Sequence, residues 1–294
     1  EAGREVIVCG GAVESPHLLE LSGIGARHRL EQMQIDCVAD LPAVGENLQD
    51  HLGINFVYRS RIPSLNQELR PWYGKLWAGV KYLLARRGPL SLSLNQGGGF
   101  IHTRPGLRVP NIQLYCQAIS TVTGRKGTRP LLNPDPFAGF ALGLSNCRTS
   151  SRGSVHTVSA DYRVAPEIQP NSFAAGEDLR DMLEGVKFLR HLASQPALAE
   201  VIVEELQPGP AVQSDEQLIA DFKQRSGTVY HPCGTCRLGE SAADSVVDLA
   251  LRVHGIQGLR VVDASVFPAV ITGNTNAPIM AIAARAADLI LEQA

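Results

Sequence analysis

The segment of the 294-residue sequence richest in reactive side chains is Tyr-His-Pro-Cys-Gly-Thr-Cys-Arg, residues 230–237. His231 lies between a tyrosine and a proline in a glycine-containing turn, and an unperturbed histidine exchanges a proton near neutral pH. An isolated histidine of this kind is more often a structural, hydrogen-bonded residue. With Cys233 and Cys236 it could alternatively supply three zinc ligands. No second C-x-x-C motif accompanies them and the only nearby histidine is His254, so zinc is the weaker interpretation.

A second candidate segment is Thr-Gly-Asn-Thr-Asn-Ala-Pro, residues 272–278. Thr275 or Asn276 is a suitable cap for a helix that has Pro278 in its first turn. The free N–H groups of such a helix start favour an anion or a polarised carbonyl. The segment follows a short apolar strand, 259–262, that ends in Asp-Ala-Ser. A strand end of this kind is where α/β folds bind ligands.

The elements that position these residues are of two kinds, one at the two ends of the chain and one in its middle. At both ends, buried strands run into turns: residues 4–9 lead to Gly10 and Gly11, and a helix is predicted from Ser15 to Leu21. A long apolar helix is predicted over 278–291. Between them, helices are predicted over 72–86, 175–194 and 215–224, with short strands over 98–102, 111–116, 138–146 and 154–158. This middle part is typical of an α+β lobe.

The amino-acid composition argues against nucleic-acid-binding and membrane-spanning proteins. The chain is 44% hydrophobic and 19% charged with a net charge of −2, which is a globular profile without a basic surface for nucleic acid. No run reaches the ~18–20 apolar residues of a membrane span. A peripheral membrane contact stays open. The six scattered cysteines favour a reducing compartment, so we expect a cytoplasmic protein, with attachment to the periphery of the inner membrane left open.

Several motifs in order resemble the glucose–methanol–choline (GMC) family of FAD-dependent oxidoreductases. Residues 11–25 (GAVESPHLLELSGIG) resemble the family's second signature, and 44–51 (VGENLQDH) resemble its next block. The HPCGTC turn, RVHG at 252–255, VVDAS at 261–265 and TGNTNAP resemble its C-terminal blocks. Within the family, these motif sequences most resemble those of choline dehydrogenases and related bacterial alcohol dehydrogenases.

The resemblance implies a discontinuous architecture. Residues 1–52 and 227–294 would form an α/β FAD-binding lobe, and residues 53–226 an α+β substrate-binding domain with an antiparallel sheet. The G-x-G-x-x-G turn that holds FAD in this family is absent from the sequence. The resemblance therefore implies a C-terminal part of such an enzyme, without the N-terminal Rossmann unit, that is inactive on its own.

The resemblance also implies roles for two catalytic residues. His231 matches the histidine that accepts the alcohol proton while hydride passes from the carbinol carbon to flavin N5. Asn274 matches the position that hydrogen-bonds the substrate oxygen. A neutral imidazole is a competent base, and an amide donor stabilises a developing alkoxide.

The cofactor-binding positions implied by the resemblance lie at both ends of the chain. Gly10, Gly11 and Ala12 match a turn near the adenosine of FAD. Asp263 and Ala264 match positions near the pyrophosphate and ribityl chain. Asn276 and Pro278 match a helix start that faces the flavin pyrimidine edge, where a positive helix end stabilises charge on reduction. No metal site is expected.

Some features stay open at this point. His51 is expected to be a solvated or loop-bonded residue, and His254 a structural one. The substrate is expected to be a small alcohol. Choline is not favoured over an aliphatic or aromatic alcohol, because no aromatic cage can be assembled around Trp72 and Trp77, the only tryptophans. The electron acceptor, oxygen or a quinone, is undetermined, and a non-catalytic binding module is the alternative function.

Overall fold

The computed structural model describes residues 2–123 and 133–292. The chain divides into two compact units. Unit 1 comprises Glu1–His51, Cys147–Asp178 and Thr228–Ala294, and unit 2 comprises Leu52–Asn146 and Leu179–Gly227. The expected domain boundaries differ from these units in one respect: the segment 147–178 lies in unit 1 and not with the rest of the middle domain.

Long-range polar contacts explain why this segment belongs to unit 1. Gly153 and Leu48 exchange two backbone hydrogen bonds of 2.9 Å. The buried His156 ring contacts the carboxylate of Glu20 at 2.8 Å, and the other oxygen of Glu20 accepts the N–H of Thr157 at 2.6 Å. Glu20 and His156 are 136 residues apart in the sequence, so local sequence patterns carry no sign of the contact.

Unit 1 is built around two parallel strands from opposite ends of the chain. Val6–Val8 pairs with Leu259–Val261, with Val8 opposite Val261. The remaining elements of this unit are the strands Ile24–Gly25, Ala39–Asp40, Ser154–His156 and Glu167–Gln169, the helices Gly11–Leu21, Arg27–Gln32 and Asn276–Glu292, and the 3₁₀ turn Ala264–Val266. The α/β character expected for the two ends of the chain is confirmed.

The first helix begins at Gly11, four residues before the predicted start at Ser15. Its cap comes from the other end of the chain, because a carboxylate oxygen of Asp263 accepts both the N–H of Gly11 and the hydroxyl of Ser15. Pro16 has no N–H to donate to the carbonyl of Ala12, and that carbonyl accepts the hydroxyl of Thr235 at 2.7 Å instead. Thr235 of the HPCGTC turn therefore replaces the hydrogen bond that the helix loses at Pro16.

Unit 2 contains the antiparallel sheet expected for the middle of the chain. Its main strands lie in the order Ile202–Gln207, Leu52–Ser60, Gly139–Asn146, Ile112–Gln117 and Gly97–Ile101, and each neighbouring pair is antiparallel. The sequence analysis missed the first two of these strands. The short strand Gly227–Thr228 follows the last helix of the unit. The helices are Leu65–Leu69, Trp72–Ala85, Pro196–Ala199, Asp215–Arg225 and most of Gly176–Ala193, with a 3₁₀ turn at Pro89–Ser91.

The two missed strands differ from a simple alternating pattern. Leu52–Ser60 has neighbours on both sides, and Phe56, Val57 and Tyr58 are buried in succession. Ile202–Gln207 lies at an edge and carries two consecutive glutamates, which reduces its apolar signal. Within the described ranges, the structure has no helix that is both long and apolar enough to cross a membrane.

The Glu20–His156 pair gives unit 1 a pH-dependent stability. Burial disfavours the charged ring, but hydrogen bonds and charge from Glu20, with a smaller contribution from Glu46, raise the pKa of His156 above 6.5. The folded-state pKa is thus higher than the unfolded one, so the stabilisation is full below about pH 6.5 and is lost as the pH rises through the raised value.

We therefore expect Glu20→Gln to destabilise the chain by about 1–3 kcal/mol near pH 6 and by less near pH 9 in urea unfolding. The exposed Glu31→Gln on the next helix is the matched control and should change stability little at either pH. An equal loss at both pH values for Glu20→Gln would contradict an ionic role for the pair.

Candidate active site

The two residues predicted to be catalytic lie together in unit 1, with a third side chain that the sequence analysis set aside. The His231 ring lies between Asn274 and His51. Its Nε2 is 3.2 Å from the amide nitrogen of Asn274. Its Nδ1 is 3.0 Å from Nδ1 of His51, and the two rings meet edge to face. His51 is only 1% exposed, so it is not solvated; it bonds the loop carbonyl of Cys147, as one of the two expectations had it, and it also contacts His231.

A short backbone pairing explains how these side chains meet. Gln49 and Cys233 exchange two backbone hydrogen bonds of 3.0 and 2.9 Å, which places the residues after Gln49 beside the residues before Cys233. Asp50 then accepts the backbone N–H of His231 at 3.0 Å, and its other oxygen accepts the hydroxyl of Thr228. The turn that carries His231 is thus held through its backbone, and the two ring nitrogens keep their own contacts with His51 and Asn274.

Tyr230 completes the turn through its backbone conformation. Its φ is 64°, in the left-handed region that a non-glycine residue seldom adopts. Its N–H donates to the hydroxyl of Thr228 at 2.9 Å, and its side chain is exposed. The strained residue therefore lies directly before His231, and the same threonine that binds Asp50 stabilises it.

The hydrogen-bond partners determine which ring nitrogens carry protons. His51 Nε2 lies 3.1 Å from the carbonyl of Cys147, which can only accept, so this nitrogen carries the hydrogen. Burial lowers the pKa of His51 to about 4, so the ring is neutral and its Nδ1 accepts. His231 must then donate from its own Nδ1. In neutral His231 this leaves the lone pair on Nε2, the nitrogen that faces Asn274.

Electrostatics favour this unprotonated form of His231. Burial lowers the pKa of His231 below 6.5, and the nearby Asp50 carboxylate opposes the shift only in part. Burial also raises the pKa of Asp50, although its hydrogen bonds counteract this. At neutral pH the site therefore presents a neutral imidazole with a basic Nε2.

The residues expected near the adenosine and pyrophosphate lie at the carboxyl ends of the two parallel strands. Gly10, Gly11 and Ala12 follow one strand, and Asp263 and Ala264 follow the other. Gly10 is exposed, and a Cβ there would lie only 3.0 Å from the backbone nitrogen of Ser15. The amide of Gly10 donates to the Ser15 hydroxyl and that of Gly11 to Asp263, so neither N–H is available to a phosphate. The Asp263 carboxylate holds the turn through these bonds and the N–H of Ser265.

The start of the last helix lies close to Asn274 in the sequence. The helix begins at Asn276, two residues before the predicted Pro278, and two residues after Asn274. Thr275 is buried and its carbonyl accepts the N–H of Ile279, whereas Asn276 is exposed. The first N–H groups of a helix have no partner within it, so this open end carries partial positive charge.

The zinc interpretation is not supported by the environment of the cysteines. Burial raises the pKa of the Cys233 thiol to about 12 and also raises that of Cys236, which disfavours the thiolate that zinc requires. Across residues 2–123 and 133–292, no three His, Cys, Asp or Glu side chains are grouped so that they could hold a metal ion. His254 contacts Ser245 at 3.0 Å and the carbonyl of Gly239 at 3.2 Å, in agreement with a structural role.

Two family models match the chain in the order that its motifs suggested. Residues 1–53 match the N-terminal and residues 149–283 the C-terminal model described as GMC oxidoreductase. The chain belongs to the GMC oxidoreductase family. Both family segments include residues of the site: Asp50 and His51 lie in the first, and His231 and Asn274 in the second.

Curated relatives of this GMC chain include an oxygen-dependent choline dehydrogenase from Chromohalobacter salexigens, 38% identical over 290 residues. An alcohol dehydrogenase [acceptor] from Pseudomonas putida is 37% identical over 290 residues. Each alignment covers 98% of this chain, with 50% of the first relative and 51% of the second. The chain thus spans about half the length of the curated relatives it matches.

Solved structures extend the likeness to the fold. Formate oxidase from Aspergillus oryzae, solved in a study of its FAD modification, matches 99% of this chain and 55% of its own, with a TM-score of 0.91 and 28% identity. Pyridoxine 4-oxidase from Mesorbium loti has a TM-score of 0.79 and 27% identity, covering 97% of this chain and 50% of that one.

The proton positions in the two rings can be measured directly. In ¹⁵N-histidine NMR spectra of the GMC chain at neutral pH, we expect His231 protonated on Nδ1 and His51 on Nε2, and His51 should stay neutral down to about pH 4. His51→Leu identifies the signals and removes the acceptor of the Nδ1 proton. A hydrogen on Nε2 of His231 would contradict the assignment, because the base nitrogen would then be blocked.

Proposed function

We propose that this chain carries the catalytic base of an FAD-dependent oxidoreductase that converts the carbinol group of an alcohol to a carbonyl. The observation that carries the proposal is the unprotonated Nε2 of His231 facing the Asn274 amide. The ordered bonds to His51 and Asp50 support it, because they hold the ring and its tautomer without occupying this nitrogen. Family membership supplies the reaction class.

Two features of the chain fit a flavin nucleotide. The open N-terminus of the helix Asn276–Glu292 suits a group that gains negative charge, and it lies two residues after Asn274 in the sequence. The exposed turn at Gly10 and the partly exposed Ala264 would border the rest of the nucleotide. When bound, FAD would supply the acceptor for the hydride, with its two electrons, that leaves the carbinol carbon.

The chain's own residues account for the proton. His231 Nε2 takes the hydroxyl proton of the substrate, and a new N–H bond forms as the O–H bond breaks. The Asn274 amide now donates to this nitrogen, and on substrate binding it would donate to the alcohol oxygen and stabilise its developing charge. The Asp50 carboxylate, close to the ring, stabilises the imidazolium that results.

The environment of His231 does not single out one alcohol. Asp50 is the carboxylate beside the ring, and both of its oxygens accept hydrogen bonds from the chain. Choline and aliphatic and aromatic alcohols are all substrates to test, with oxygen and a quinone as alternative acceptors.

The role of His231 is tested by flavin reduction in the FAD-loaded enzyme. We expect His231→Ala to slow reduction by an alcohol about 10²- to 10⁴-fold, because the proton loses its acceptor. His28→Ala, an exposed histidine of the same unit, is the control and should leave the rate unchanged. A near wild-type rate for His231→Ala would remove the base, and failure of the complete gene product to bind FAD would favour a non-catalytic module.

The pH profile tests the coupling between Asp50 and His231. Because the base must be unprotonated, kcat/KM should rise with pH through an inflection below about pH 6.5 and then level off. Asp50→Asn keeps an oxygen for the His231 N–H but removes the charge that raises the pKa, so the inflection should move to lower pH. The maximal rate should fall as well. Asp244→Asn, an exposed aspartate, is the control, and an inflection shifted to higher pH would refute the coupling.

A further inference from the structure

The helix Trp72–Ala85 of unit 2 carries its large apolar side chains on the outside. Six of them are each more than half exposed, from 57% for Trp77 to 84% for Leu84. We call these six the apolar face: Trp72, Tyr73, Leu76, Trp77, Leu83 and Leu84. At about 100° per residue they lie on one arc of roughly 140° that contains no charged residue.

The opposite side of this helix carries small residues. Gly74 and Ala78 are its buried positions. A Cβ at Gly74 would lie 1.9 Å from the carbonyl of Glu68, so the backbone of the helix approaches its neighbour closely. Helices of water-soluble proteins place the large apolar side chains inward, and this helix does the reverse.

The helix also packs incompletely against its own unit. A cavity of about 370 Å³ lies beside it, with an apolar lining that includes Ala78 of the helix and Leu65, Leu69, Leu90 and Leu92. Leu90 and Leu92 are themselves more than half exposed and extend the exposed apolar surface beyond the helix. An apolar surface of this extent marks a contact with something else.

The charges around the apolar face indicate what that contact is. Over residues 69–123 the sequence has seven Lys and Arg residues and no Asp or Glu. Lys81 pairs with Glu68 and Arg104 with Asp181, but Arg70, Arg86 and Arg87 at the two ends of the helix are exposed. The tryptophans, the tyrosine and the flanking cations form the pattern of a helix that lies in a membrane interface.

We propose that the apolar face of the helix Trp72–Ala85 binds the anionic surface of a lipid membrane. The helix lies in the plane of the interface, since 14 residues extend about 21 Å and cannot cross a hydrocarbon core of ~30 Å. A second copy of the chain fits less well, because a symmetric contact would bring the exposed Arg70, Arg86 and Arg87 of two copies together. Anionic headgroups complement them.

The two tryptophans of the chain make the test direct, because both lie on the apolar face. With vesicles of equimolar phosphatidylcholine and phosphatidylglycerol, we expect the tryptophan emission to shift to the blue and to be quenched by acyl-brominated lipid. Vesicles of phosphatidylcholine alone should bind at least about tenfold more weakly, and added salt should weaken the anionic binding.

Variants separate the apolar and ionic contributions. Leu83→Gln with Leu84→Gln keeps both tryptophans and all charges, and should weaken co-sedimentation with the mixed vesicles at least about tenfold. Arg86→Gln with Arg87→Gln should reduce the preference for phosphatidylglycerol. The matched control is Val38→Gln with Tyr162→Gln, two exposed apolar residues of unit 1 that should leave binding unchanged.

Three outcomes would overturn the proposal. The first is the absence of a blue shift with the mixed vesicles, with circular dichroism showing a folded chain. The second is a dimer in lipid-free sedimentation that the Leu83/Leu84 variant abolishes, since a second copy would then cover the face. The third is binding by this chain but not by the complete gene product, because polypeptide would then take the place of lipid.

Discussion

The site depends on a single backbone pairing between Gln49 and Cys233. Through it, two stretches about 180 residues apart in the sequence become adjacent, and each contributes what the other lacks. One carries the His231 ring, and the other carries the carboxylate that binds the His231 backbone and the ring that accepts its Nδ1 proton. Without the pairing, a histidine between tyrosine and proline has neither a defined direction nor a defined tautomer. His51 in turn donates from Nε2 to the carbonyl of Cys147. The positions of the protons on the two rings are therefore set by a backbone group that cannot itself titrate.

A second constraint joins the same two ends of the chain. Asp263 caps the helix Gly11–Leu21, and Thr235 satisfies the carbonyl that Pro16 leaves without a helical partner. The structural role of Asp263 accounts for its carboxylate without a cofactor contact, because its oxygens already bind three groups of the protein. In the proposed complex with FAD, this edge of the chain would contribute shape and a closed turn, and positive helix charge would come from the other helix, which begins at Asn276.

Sequence reasoning reached the parts of the fold and site that are encoded locally or in familiar motifs. The strands at the two ends of the chain, the helix Asp215–Arg225, and the residues His231 and Asn274 of the site were all predicted near their observed positions. It failed where the decisive partner is remote. The helix start at Gly11 depends on Asp263, the assignment of 147–178 depends on Glu20 and His156, and the burial of His51 depends on His231. A local pattern has no access to these contacts, although the adjacent Asp50 and His51 in one motif were a signal that deserved a chemical reading.

The helix Trp72–Ala85 shows a different limit of periodicity. It was predicted nearly to its ends, yet a repeating apolar stripe does not say which way the stripe points. In the helix Gly176–Ala193 the stripe points inward, and Met182, Val186 and Leu189 are almost wholly buried. In Trp72–Ala85 the small residues Gly74 and Ala78 take the inward side, and the aromatic rings face out. The distinguishing information lies in residue size and charge: small residues on one arc, aromatic residues on the other, and an acid-free sequence around them. A helix of this composition suits a surface that supplies apolar contact and negative charge together, which is what an anionic membrane interface offers.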